Sequence, residues 1–145
     1  YDVRKTALKS YVQPYIITYR SGIKIGIFGL GVNPESLIFA KNYAGLKYND
    51  PVKTANQTAC KLKKLKKCDL VICLSHLGSD STEIAINDFK LAKKSRNIDV
   101  IIGGHSHTML ENTRTVNAAG KPVVIAQMAK SGLYLGRIDL ELEKK

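Results

Sequence analysis

The three histidines of this chain fall in two short segments, and each segment follows an apolar run that reads as a buried strand. His76 closes Asp69-Leu70-Val71-Ile72-Cys73-Leu74-Ser75-His76-Leu77-Gly78. His105 and His107 follow Ile98-Asp99-Val100-Ile101-Ile102-Gly103-Gly104. Imidazole is the commonest transition-metal ligand, so the first chemistry these residues suggest is metal binding. His105 and His107 stand two apart. In an extended backbone residues i and i+2 face the same side, so this spacing aims both rings one way and Ser106 the other. Gly103 and Gly104 allow a turn or a close approach of the backbone to a ligand. Each histidine by itself also reads as an ordinary polar residue near a strand end; the three together carry the metal reading. Imidazole suits zinc, iron and manganese alike, which leaves the element open. Three imidazoles and a water would complete a mononuclear site. No fourth ligand stands beside them. Asp69 and Asp99 begin their strands, on the opposite edge. Asp80 is nearer, but its expected role is to cap a helix.

What would position these residues is a parallel sheet. Tyr15–Tyr19 is β-branched and aromatic, and Ser21-Gly22 signals a turn into Ile23–Leu30, so a hairpin is expected. Residues 33–50 read as irregular, with a short helical turn from Glu35. Asp50-Pro51 opens a helix, since Asp caps and Pro suits the first turn. Val52, Ala55, Ala59 and Leu62 then form one apolar stripe running to about Lys67. The strand Leu70–Ser75 follows. Asp80-Ser81-Thr82-Glu83 is expected to open a second helix, with Ile84, Ala85, Leu91 and Ala92 inward, ending near Asn97. The strand Val100–Ile102 comes next. Strand, helix, strand, helix, strand implies parallel neighbours joined by right-handed crossovers. The carboxyl ends of such strands share one edge, where ligands bind. His76 and His105 both lie just past such ends. Beyond them, Val123–Gln127 and Tyr134–Leu142 alternate as antiparallel strands would, with Ile138, Leu140 and Leu142 on one face.

The chain has 145 residues, one domain's worth, and 44% hydrophobic content is ordinary for a packed core. No apolar run approaches the ~18–20 residues of a membrane span. There is no signal-peptide pattern at the start. Tyr1-Asp2-Val3-Arg4 lacks Met and runs soon into a strand-like segment, as expected of a piece of something longer. With 23 Lys and Arg against 12 Asp and Glu, the net charge is +11. Much of the excess lies in Lys61–Lys67 and in Lys90, Lys93, Lys94 and Arg96, which read as solvated helix faces and C-terminal turns. No basic motif interleaved with aromatics supports nucleic-acid binding. Cys60 and Cys68 sit eight apart on one helix, about 12 Å by its rise, too far for a disulfide. Cys73 lies within a strand, so buried free thiols are expected.

Taken as residues in order, Cys68–Gly78 and Asp99-Val100-Ile101-Ile102-Gly103-Gly104-His105-Ser106-His107-Thr108 resemble the C-terminal half of the calcineurin-like metallophosphoesterase domain, in its 5′-nucleotidase branch. Lys24–Leu30, Asp50-Pro51-Val52 and Gly132-Leu133-Tyr134-Leu135-Gly136 support the resemblance, which covers essentially the whole chain. It implies an α/β fold: half of a metallophosphoesterase α/β sandwich over residues 1–145, a βαβαβ core with C-terminal antiparallel strands. The N-terminal half, with its D-x-H, bridging Asp and G-N-H-[ED] segments, is absent from this sequence. By the resemblance, His76 and His105 are ligands of one metal and His107 of the other. The remaining ligands would come from the missing half. The implied cofactors are two divalent ions such as Zn, Mn or Fe. The implied reaction is hydrolysis of nucleoside 5′-monophosphates or related phosphoesters by a metal-activated water. Ser75 and Ser106 are not nucleophile candidates, because no histidine remains free to activate them. This chain alone is expected to be inactive. Its expected partners are the missing half, as a separate chain, or a second copy. A non-catalytic, dimerising half-domain is the alternative. The family implies a periplasmic or exported parent protein.

Overall fold

The computed structural model describes residues 1–80 and 86–142. The hairpin forms as expected: β1 (Ile16–Arg20) pairs antiparallel with β2 (Ile23–Leu30). Ser21 and Gly22 turn between them, both at positive φ (48° and 82°). Such turns match the right-handed twist of the flanking strands. Helix α1 spans Pro51–Cys60, and the Asp50 carboxylate caps it by accepting the Lys53 N–H at 2.6 Å. A π-helical turn, Lys61–Leu65, continues it and buries Leu62. Then come β3 (Leu70–Ser75), α2 (Asp88–Lys94) and β4 (Val100–Ile102). The short β5 (Met109–Leu110) and β6 (Arg114–Val116) precede β7 (Pro122–Met128).

The seven strands form one sheet in the order β1-β2-β3-β4-β7-β5, with β6 also on β7. The pairs β2–β3, β3–β4 and β4–β7 are parallel, and β7 is antiparallel to β5 and β6. The run β2-α1-β3-α2-β4 is the expected βαβαβ core. Both helices lie on one face, where Ala55, Ala59, Leu62, Leu91 and Ala92 pack on Phe28, Val71, Cys73, Ile101, Val123 and Ile125. The opposite face carries two in-register rows, Ile27–Ile72–Val100–Val124 and Gly29–Leu74–Ile102–Ala126. Leu74 is 48% and Ile102 40% exposed, so this second face is incompletely covered.

Asp69 and Asp99 are strand-start residues, as expected. The Asp69 carboxylate accepts the Lys24 N–H at 2.8 Å. That of Asp99 accepts the Val71 N–H at 2.7 Å and pairs with Lys63 at 2.7 Å. The three cysteines are free.

Two expectations are corrected. The described second helix begins at Asp88 and takes its cap from Asn87, whose side chain accepts the Lys90 N–H at 2.9 Å, rather than from Asp80. Ser81, Thr82, Glu83, Ile84 and Ala85 of the expected helix lie outside the described residues. Leu91 and Ala92 do face inward. Second, Tyr134–Leu142 forms no strand, and Leu135 is 99% exposed. The reason is competition for edges. β7 is parallel to β4 on one side and holds β5 and β6 on the other, so it has no edge left to offer. Alternation supplies β-propensity but cannot supply a partner.

Candidate metal centre

β3 and β4 are hydrogen-bonded neighbours, so their carboxyl ends deliver His76 and His105 to the same edge. The two rings stand 5.3 Å apart, centroid to centroid, edge to face at 67°. Both side chains are exposed. For two imidazoles on one ion, a metal–nitrogen bond of about 2.1 Å and a tetrahedral angle put the ring centres about 5.3 Å apart. The observed centre-to-centre spacing equals that value. Among the described residues, however, no group of three or more His, Cys, Asp or Glu is placed to hold a metal. The chain brings His76 and His105 together and does not bring His107 to them.

The reason lies in the backbone. An H-x-H pair aims both rings one way only if the chain is extended, and here it is not. His105 has φ 74° and His107 φ 54°, both in the left-handed region. Non-glycine residues enter that region at a cost, and such strain clusters at functional sites. Gly103 and Gly104, by contrast, are not left-handed. They are needed for room. A Cβ at Gly104 would stand 2.9 Å from His76 Nδ1, and one at Gly103 only 2.2 Å from Asp88 Oδ2.

Asp88 is a residue the sequence reading missed. It is fully buried beneath the two histidine loops. Its Oδ1 accepts the Ser75 hydroxyl at 2.5 Å, and its N–H donates to Gly78 O at 2.8 Å. Oδ2 has no partner among the described residues. Burial pushes the carboxyl up to about 6, with the Ser75 hydroxyl pulling the other way. The folded chain then holds this proton where the unfolded chain has released it. Stability therefore falls as pH rises from about 4 to about 6. Such a rise in pKa corresponds to roughly 3 kcal/mol at most. We expect Asp88→Asn to remove this component, seen by urea unfolding at pH 4 and pH 7. The same pH slope in both proteins would refute it.

Gln127 was also missed. It is 2% exposed, and its Oε1 accepts the Ser79 hydroxyl at 2.5 Å and the Ser106 hydroxyl at 3.1 Å. Both residues had one detectable signal: a polar side chain on an apolar phase. Asp88 shares an inward face with Leu91, Ala92 and Ser95, and Gln127 with Val123 and Ile125.

No family model matches the chain. It is 32% identical over 134 residues to the trifunctional nucleotide phosphoesterase protein YfkN of Bacillus subtilis, covering 92% of this chain and 9% of that protein. The solved 5′-nucleotidase precursor of Thermus thermophilus superposes with a TM-score of 0.73 at 28% identity, covering 87% of this chain and 26% of that one. The calcineurin-like phosphoesterase YfkN of Bacillus subtilis does so with a TM-score of 0.57 at 30% identity, covering 69% of this chain and 34% of that one. The chain thus spans between 9% and 34% of the length of these relatives. Its sheet and helices are those of the C-terminal half of a calcineurin-like metallophosphoesterase domain. The proteins it is similar to are a nucleotide phosphoesterase and a 5′-nucleotidase precursor.

Proposed function

We propose that this chain is part of an enzyme that hydrolyses phosphate esters, nucleoside 5′-monophosphates or related nucleotides, through water activated by two divalent ions. The observation that carries the reading is the convergence of His76 and His105 beyond adjacent parallel strands, in a chain similar to a nucleotide phosphoesterase. His76 and His105 would hold one ion and His107 the other, with the remaining ligands coming from polypeptide outside this sequence. When bound, such ions would lower the pKa of a coordinated water and stabilise charge on the phosphoryl and leaving oxygens. The chain's own part is to present the imidazoles at a fixed spacing. Its net charge of +11 favours approach of an anionic substrate. The description of the Thermus relative as a precursor supports an exported parent protein.

A second reading, a non-catalytic half-domain that self-associates, is favoured by the exposed Leu74 and Ile102 on the uncovered sheet face. The two readings separate in one experiment. The parent protein and this chain are each assayed on a nucleoside 5′-monophosphate with Mn²⁺ or Zn²⁺. Turnover by the parent, lost on His105→Ala and absent from the chain alone, supports the enzyme. An inactive parent, or turnover indifferent to His105→Ala, refutes it.

A further inference from the structure

We infer that Gln127 is a positioning residue for the metal-binding edge: its buried amide, with Ser79 and Ser106, latches the loop that carries His76 to the loop that carries His105. The inference rests on the metal reading above and adds the element that sets its spacing.

Ser79 lies three residues after His76, and Ser106 lies between His105 and His107. The Ser79 N–H donates to Ser106 Oγ at 2.9 Å, so the two loops are joined directly. The two hydroxyls also lie 3.1 Å apart, and Ser106 is 2.9 Å from the Thr108 hydroxyl. Ser106 accepts that N–H, which leaves its own proton for Gln127 Oε1. Ser79 donates its hydroxyl proton to the same oxygen. One carbonyl oxygen on β7 therefore gathers a donor from each loop.

The cost of this arrangement is visible. Gln127 Nε2 is buried with no partner among the described residues. An unsatisfied buried donor is unfavourable by about 1–3 kcal/mol. A leucine or methionine at this inward position of β7 would avoid that cost, but neither could join the loops. The benefit lies in the backbone that flanks Ser106. Both His105 and His107 are left-handed there, a state non-glycine residues hold only when their surroundings fix it. Bonds to the residue between them supply that fixing. Without them the loop relaxes toward ordinary φ values, and the His105 ring leaves His76.

The test uses the full 145-residue chain, metal-free and isotope-labelled. In the unaltered chain, nuclear Overhauser cross-peaks are expected between the His76 and His105 rings. In Gln127→Leu these cross-peaks vanish while those across β4 and β7 persist. Zn²⁺ affinity by calorimetry falls ten- to a hundredfold, the range for outer partners of metal-binding histidines. Should Gln127→Leu fail to fold, Ser79→Ala combined with Ser106→Ala removes both donors, leaves the core filled, and is expected to have the same effects. Ring-to-ring cross-peaks that persist in either folded variant overturn the latch, as does their absence from the unaltered chain. Rings that separate in the variants, with no Zn²⁺ binding even by the unaltered chain, support the latch and overturn the metal reading.

Discussion

On the proposed metal reading, His105→Ala is expected to abolish divalent-metal binding at this edge, and His107→Ala to spare the first ion. The asymmetry follows from placement. His105 faces His76 at 5.3 Å between ring centres, and the described residues offer no third donor to compensate for its loss. Removing one of two imidazoles should cost more than the ten- to hundredfold typical of an outer partner. His107 has a left-handed backbone of its own and does not join the pair. Calorimetric titration of both variants with Zn²⁺ decides the matter. Equal losses would mean that His105 and His107 serve one ion together, as an extended H-x-H would.

Gly103→Ala is expected to destabilise the fold by about 1–3 kcal/mol, the usual cost of forcing a methyl into a filled core. The added Cβ would lie 2.2 Å from Asp88 Oδ2. The carboxylate cannot easily retreat, since Ser75 holds its other oxygen and no part of it reaches solvent. The strand cannot easily retreat either, because the Gly103 N–H donates to Ala126 O at 2.7 Å. Residues in direct contact are not additive. In an Asp88→Ala background the Gly103→Ala cost should therefore largely disappear. Urea midpoints of the four proteins measure the coupling, and additive costs would sink this account. Gly104→Ala should behave differently. Its Cβ meets Nδ1 of the exposed His76 ring, which can swing aside, so stability is expected to change little while any metal affinity that depends on the ring drops.

Much of the frame was readable in advance because its signals are local. Asp50-Pro51 announces the start of α1, and Ser21-Gly22 announces the hairpin. The apolar runs before His76 and Gly103 announce β3 and β4, and their order puts both histidines on one edge. What was not readable depended on partners distant in sequence. Tyr134–Leu142 alternates well, yet both edges of β7 are occupied by β4, β5 and β6. The reach of His107 turned on two φ angles that no spacing rule reports. Asp88 and Gln127 looked like interruptions of apolar faces, although they are the residues that tie those faces to the histidine loops.

The pairing of β3 with β4 has a consequence for how the chain attains its native state. Ile72, Cys73 and Leu74 stand opposite Val100, Ile101 and Ile102. These are apolar on every position, so hydrophobicity alone discriminates poorly between neighbouring alignments. A slip of two residues keeps each side chain on its proper face yet carries His76 about 6.6 Å along the sheet relative to His105. That displacement exceeds the present distance between the rings. An ion held by both histidines would bind only the correct alignment, and whatever binds one state alone raises its share of the population. With such an ion bound, the pair would favour the correct strand alignment, and refolding with Zn²⁺ is expected to raise the native yield.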